Sequence, residues 1–447
     1  MPRIPVFSQS DVASFREALN RYRAPGAYEP GKWSVSPLNR RDDITGGFPG
    51  QVVLRDIAIR TTEQMPGVVL PQEDRQKLMR ALVEAGVPSV QIGAFGRNRD
   101  LESMRADVRT IKAINPQCEV VYGGVTGISD VETAAEVGFD SVQFWAAPYV
   151  EAAAITAAHA IYRRAWQDKD WQELALPSSI DGQLEKAVTL VEAGHRHDVV
   201  VSPGINQVSF APESYVERYC RTMQEAGAKE IVLYDGSSGM GPEGYAHMVA
   251  LAKKHAPGAR IGVHTHNMFD LAVANALASA RAGADVLEVS VNGYCSASGQ
   301  ADLAATALAL EALYGVVTGI EMHRLTPLAR LAEEVTGYKV AWNNPVTGPE
   351  VHNWGGTEFV IQELKIDPLI HWPIEPTFVG NERRWDITFD SGPYTMLDKL
   401  EALGIDVELD QVEQILEEVK SNMRRLRRVL DDDEVAAVAT RVAGAAS

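Results

Sequence analysis

The feature that most constrains this chain is a rhythm. From residue 51, short β-branched runs alternate with amphipathic helical stretches eight times. A period of two puts one face of a strand against a core, and a period near 3.6 does the same for a helix. The expected strands are Val52–Ile59, Ser89–Ile92, Glu119–Tyr122, Ser141–Phe144, Val199–Ser202, Glu230–Tyr234, Arg260–His264 and Val286–Ser290. Helical patterns follow each, among them Gln72–Ala85, Leu101–Ile114, Pro242–His255 and Met268–Ala282. Several close on a helix-terminating glycine, as at Ala85-Gly86, Ala226-Gly227 and Ala282-Gly283. Eight such units in about 270 residues match the α/β class and the length of a (β/α)8 TIM barrel. A doubly wound sheet needs fewer strands, and no Gly-rich dinucleotide turn follows the first strand. The expected division is an N-terminal extension over 1–50, the barrel over 51–318 and C-terminal subdomains over 319–447, loop-rich and then mostly helical.

Composition narrows the partners. With 447 residues and 45% hydrophobic content, the chain can bury a large core and still carry an appended region. Its net charge of −18 argues against nucleic acid or an anionic membrane as partner. No apolar run is long enough to span a bilayer, and Met1–Ser10 lacks the pattern of a signal peptide. Three widely spaced cysteines, Cys118, Cys220 and Cys295, read as reduced thiols, so a cytoplasmic location is expected. The fourth unit is long. Residues 145–180 are expected to be an insertion near the barrel mouth, either a lid or an elaboration of the outer helices.

Chemistry in such a barrel sits at the C-terminal ends of the strands. There the seventh strand runs into His264-Thr265-His266-Asn267. Residues two apart on a strand share a face, so both imidazoles can be presented together, and neutral imidazole is a common metal ligand. An isolated pair of this kind is also what two ordinary loop histidines look like.

The first strand runs into Asp56-Ile57-Ala58-Ile59-Arg60-Thr61-Thr62-Glu63-Gln64-Met65-Pro66-Gly67. This resembles the D-T-T-L-R-D-G-E-Q-x-P-G signature of the DRE-TIM metallolyases: isopropylmalate, homocitrate and citramalate synthases and hydroxymethylglutaryl-CoA lyase. The His264–Asn267 stretch is similar to the family's H-T-H-N. Asn292-Gly293 through Asp302-Leu303 lies where the family has N-G-x-G-E-R-A-G-N-A-D-L. Gly348–Gly355, with His352, and Val379–Arg384 resemble its later segments. The resemblance implies Arg60, Glu63 and His352 as catalytic groups, with Gln64, Thr61, Asp235 and Asn267 at the substrate. It implies a divalent metal (Zn, Mn or Mg) on His264, His266 and Gln300. It also implies a small carboxylate substrate with an acyl-CoA, and a homodimer.

The departures carry chemistry of their own. The family's metal-binding Asp becomes Thr61, and its ligand Asn becomes Gln300. The acidic pair of its fifth strand becomes Gly204-Ile205. Leu54-Arg55-Asp56 offers a second Arg-Asp pair, at the expense of a five-residue insertion before Glu63. Two imidazoles, an amide and a hydroxyl make a neutral site that suits Zn or Mn better than Mg. Arg60 can bind a carboxylate or polarise a carbonyl, or be a surface arginine; Glu63 can be a base, or simply pair with Arg60. Cys295 reads as a buried thiol. The expected activity is condensation of an acyl-CoA with a 2-oxo acid in a specialised pathway. The alternatives are a carbon–carbon lyase of the hydroxymethylglutaryl-CoA type and a metal-free small-acid-binding member.

Overall fold

The computed structural model describes residues 8–95, 100–146, 180–356 and 358–445. Most of the expected 145–180 insertion lies outside them. Eight parallel strands close into a barrel. They are β1 (Val53–Asp56), β2 (Ser89–Ala94), β3 (Glu119–Gly123), β4 (Ser141–Ala146), β5 (Val200–Ile205), β6 (Glu230–Asp235), β7 (Arg260–Thr265) and β8 (Val286–Val289). Closure pairs Val286 of β8 with Val53 and Val289 with Asp56. The outer helices include α1 (Gln72–Glu84), α2 (Leu101–Ile114), α5 (Glu213–Glu225), α6 (Pro242–His255) and α7 (Ala272–Arg281), with α3 (Ile128–Val137) and α4 (Ile180–His197) between α2 and α5. All eight strands expected from the rhythm form. No helix of the described residues is long and apolar enough to cross a membrane.

One boundary differs in a way that matters. The first strand stops at Asp56, not Ile59, and Ala58–Thr61 is a helical turn. Asp56 is buried, and its two oxygens accept from the backbone N–H of Ala58 and of Val291, each at 2.8 Å. Those bonds turn the chain out of the strand and carry Arg60 over the barrel mouth. They also commit Asp56 to the backbone, which removes the Leu54-Arg55-Asp56 alternative.

Arg55 points into the barrel and is fully buried. It meets Glu230 at 2.6 Å, Glu119 at 3.0 Å and Glu288 at 3.4 Å, and its Nε donates to Ser89. Arg260 bridges Glu119 and Glu230 at 2.9 and 2.6 Å. Glu119, Glu230 and Arg260 are the first residues of β3, β6 and β7, so this network closes the N-terminal end of the barrel. Burial pushes the Glu119 carboxyl up, and the Arg55 and Arg260 charges more than reverse that, to about 2. Buried charges persist when paired in this way, and removing one partner strands the other.

The chain divides into two compact units, 38–340 and 1–37 with 341–447. The helix Leu325–Thr336, beyond the expected barrel limit of 318, packs on α1 within the barrel unit. In the other unit, helices Pro393–Ala402, Leu409–Leu426 and Asp432–Ala445 enclose a core of Met396, Leu400, Val412, Ile415, Val419 and Val438. Spacings of three and four along the middle helix put Val412, Ile415, Leu416, Val419 and Met423 on one stripe. The helix Gln9–Asn20 is capped by Ser8, since Ser8 and Asp11 exchange backbone and side-chain bonds.

Candidate active site

His264 lies in β7 and His266 follows it, with ring centroids 5.1 Å apart. Thr265 between them faces away and donates to Ala272 O at 3.3 Å. His264 is buried, and its Nδ1 meets Glu288 Oε2 at 2.7 Å. Burial pushes the Glu288 carboxyl up. The hydrogen bond and charge of His264, with Arg55 and Arg60, more than reverse it and hold Glu288 at about 2. An ionised carboxylate only accepts, so Nδ1 carries the proton. Gln300 Nε2 lies 3.0 Å from His264 Nε2, which accepts from it when the ring is neutral.

Gln300 reaches the site because its loop folds back sharply. A Cβ at Gly299, whose φ is +79°, would stand 2.4 Å from Gly293 O, so only glycine fits there. His266 forms an isolated bridge with Gln300, and Asn267 N donates to Gly299 O. His266 Nδ1 and Gln300 Oε1 are buried without hydrogen-bond partners. Burial, then the His264 and Arg60 charges, push the His266 imidazole down to about 3. It is therefore a neutral ring across the ordinary pH range.

Arg60 is buried, and its Nε donates to Gln91 Oε1. Gln91 Nε2 donates to Gln143, and Gln143 Nε2 donates to Glu288 Oε1 at 2.5 Å. A chain of two amides thus connects the guanidinium on the first loop to the carboxylate that holds His264. The Trp145 ring lies under Arg60, with Cζ 5.3 Å from the ring centroid. Sequence reading missed Gln91, Gln143, Glu288 and Trp145. Their signal is a polar or aromatic residue at an inward position of an otherwise apolar strand.

Several expected residues are engaged elsewhere. Thr61 is buried, and its hydroxyl lies 3.0 Å from Ile57 O and 2.7 Å from Tyr294 O, so it faces backbone and not substrate. Glu63 pairs with Arg75 at 3.8 Å, and Arg75 also holds Asp107 at 2.9 Å. Asp235 is buried and accepts from the hydroxyls of Ser209, Ser237 and Tyr245 and from Gly239 N, which ties the loops after β5 and β6 together. Asn267 caps the start of α7 through Ala272 N at 3.0 Å and donates to Asp270. Gln64 is exposed at the rim and accepts from Cys295 Sγ at 3.8 Å. The Cys295 thiol is buried and also accepts from Gln300 Nε2 at 3.3 Å. His352 belongs to the other compact unit, where burial pushes its pKa down against the raising effect of the Val346 backbone.

Among the described residues, no group of three or more His, Cys, Asp and Glu side chains is arranged to hold a metal ion. The donor atoms at the mouth are His264 Nε2, His266 Nδ1 and Gln300 Oε1. Two of them are orphaned, and a half-turn of the Gln300 amide exchanges its oxygen and nitrogen. The oxygen would then stand 3.0 Å from His264 Nε2, a spacing normal for two ligands of one cation. These neutral nitrogen and oxygen donors are of the kind a divalent ion takes, and Glu288 stands one hydrogen bond behind His264.

A family model described as HMGL-like matches residues 51–332. A 2-phosphonomethylmalate synthase from Streptomyces rubellomurinus is 30% identical, over 88% of this chain and 99% of that protein. A putative (R)-citramalate synthase from Methanopyrus kandleri is 29% identical, over 86% of this chain and 71% of that protein. A homocitrate synthase from Methanothermobacter thermautotrophicus is 26% identical, over 90% of this chain and 96% of that protein. Among solved structures, a hydroxymethylglutaryl-CoA lyase from Pseudomonas aeruginosa shares the fold at a TM-score of 0.52 and 23% identity, covering 66% of this chain and 95% of that one. The barrel, its mouth and these matches converge: the chain belongs to the HMGL-like family, the DRE-TIM metallolyases.

Proposed function

We propose that this protein condenses an acyl-CoA with a small 2-oxo acid, forming a carbon–carbon bond at the ketone. The observation that carries the reading is the linkage of Arg60, through Gln91, Gln143 and Glu288, to His264 at one barrel mouth. Named relatives that are synthases of this kind support it.

Arg60 has the central role. Gln91 pins its Nε and Trp145 lies against its face, so the plane of the guanidinium is set before substrate arrives. A planar donor of this kind stabilises the alkoxide that develops on the ketone oxygen as the acyl-CoA, having given up an α-proton to a base, adds through its enolate to the keto carbon; the alkoxide then takes up a proton to become the 2-hydroxyl. Water then cleaves the thioester, releasing a 2-hydroxy diacid and the free thiol. Enzymes of this family use a divalent metal. Here His264, His266 and Gln300 would hold it, and when bound it supplies Lewis-acid polarisation of the ketone. Glu288 keeps His264 in one tautomer, with Nε2 toward the site. His266, held neutral, serves as a ligand and not as an acid near neutral pH.

Calorimetric titration of the Mn- or Zn-supplemented protein with 2-oxo acids tests this. Binding that weakens at least about tenfold in both His264→Ala and Arg60→Ala is expected. Absence of binding by any 2-oxo acid, or equal affinity in both variants, contradicts it.

A further inference from the structure

Tyr234 of β6 and Trp145 of β4 stand beside this machinery without an assigned role. Their rings meet edge to face with centroids 6.5 Å apart. Tyr234 also packs on His264 at 5.2 Å, and Trp145 lies under Arg60. Two glycines make room for them. A Cβ at Gly204 would stand 2.2 Å from Tyr234 Cε2 and 2.8 Å from Val232 O. A Cβ at Gly123 would stand 2.5 Å from Trp145 Cζ2. The space against β5 at Gly204 is filled by the Tyr234 phenol.

The polar atoms of the pair reach no group outside it. Tyr234 is 5% exposed, and its hydroxyl and the Trp145 indole Nε1 are buried beside each other with no hydrogen bond of ordinary geometry. An unmade bond of this kind costs folding free energy, so its retention beside an active site points to a ligand that completes it. A phenol carries its proton near neutral pH and can donate it. An indole N–H only donates, as does the neighbouring Arg60 guanidinium. Glu288, the nearby carboxylate, is already engaged by Arg55, Gln143 and His264. The unmet demand is for an acceptor, and the Arg60 guanidinium beside it suits an anionic one.

We infer that Trp145 Nε1 and Tyr234 Oη receive the carboxylate of the 2-oxo acid, beside Arg60, an assignment that rests on the condensing-enzyme reading above. The pair fixes the acid end of the substrate and leaves its ketone to Arg60 and the histidine pair. No side chain fits at Gly204 while Tyr234 is in place, so the glycine and the phenol belong to one arrangement.

The test uses Tyr234→Phe and Trp145→Phe, which keep a ring and remove one donor each. Without ligand, Tyr234→Phe should melt at the same temperature as wild type or higher, because it deletes an unsatisfied hydroxyl. Each variant should bind pyruvate at least about tenfold more weakly than wild type, with a smaller pyruvate-induced rise in Tm. Wild type should prefer pyruvate to its neutral methyl ester, and Tyr234→Phe should lose most of that preference. If wild type and Arg60→Ala differ in pyruvate affinity while both Phe variants bind as wild type does, this assignment is overturned and the functional reading stands. If wild type binds neither pyruvate nor larger 2-oxo acids, the functional reading fails and takes the assignment with it.

Discussion

His264 donates its Nδ1 proton to the carboxylate of Glu288 across 2.7 Å. This contact joins the barrel's buried charge network to its mouth, because Glu288 also touches Arg55. Outer-shell carboxylates of this kind set the tautomer and basicity of a ligand imidazole. Glu288→Gln should therefore weaken Zn or Mn binding about 10- to 100-fold while leaving His264 in place. Isothermal titration with metal checks this, and an unchanged affinity counts against the role given to Glu288.

Thr61→Asp looks on paper like a repair of the family's missing metal ligand. The structure predicts otherwise. The Thr61 side chain faces the carbonyls of Ile57 and Tyr294 in a fully buried position. A carboxylate there meets two acceptors and no donor, so the variant should lose about 1–3 kcal/mol of stability or more. Chemical denaturation measures the loss, and a stable variant with tighter metal binding would be the opposite result.

Arg60→Lys keeps the charge and loses the geometry. The bond from Nε to Gln91 and the contact with the Trp145 face both belong to a guanidinium. Steady-state kinetics should show kcat/KM reduced about 100- to 1,000-fold, with the fall mainly in kcat.

Asp56 gives a pH signature. Burial raises its pKa to about 7, against the lowering effect of its bonds from Ala58 and Val291. Unfolded, the group titrates near about 3.9. Since the folded value is raised, its contribution to stability is fully present below the unfolded value and is lost as pH rises through about 7. Asp56→Asn should thus cost most in acid, and its deficit in Tm should shrink between about pH 4 and about pH 7 and stay level above that. A deficit that grows with pH would reverse the assignment.

The barrel was legible because each strand and helix carries its own period, and both periods survive in a single sequence. His264, His266 and Arg60 were legible because they sit at strand exits within recognisable motifs. The supporting groups were not. Gln91, Gln143 and Glu288 become a network only when β2, β4 and β8 are brought around one axis, and no local spacing encodes that closure. The partners of Asp235 and Asn267 were hidden for a related reason. Polar side chains at loop starts serve binding and loop architecture alike, and here Tyr245, Ser209 and Ala272 claim them. The end of the first strand at Asp56 was also hidden, since its second partner, Val291, lies far along the chain.

The most direct test is release of free thiol from a panel of acyl-CoAs, each incubated with and without a panel of 2-oxo acids, using the metal-supplemented protein. The account predicts thiol release that requires one 2-oxo acid and one acyl-CoA together, yields a product of their combined mass plus water less the thiol, and disappears in Arg60→Ala and His264→Ala. Thiol release that ignores the 2-oxo acid, or persists in both variants, would contradict it.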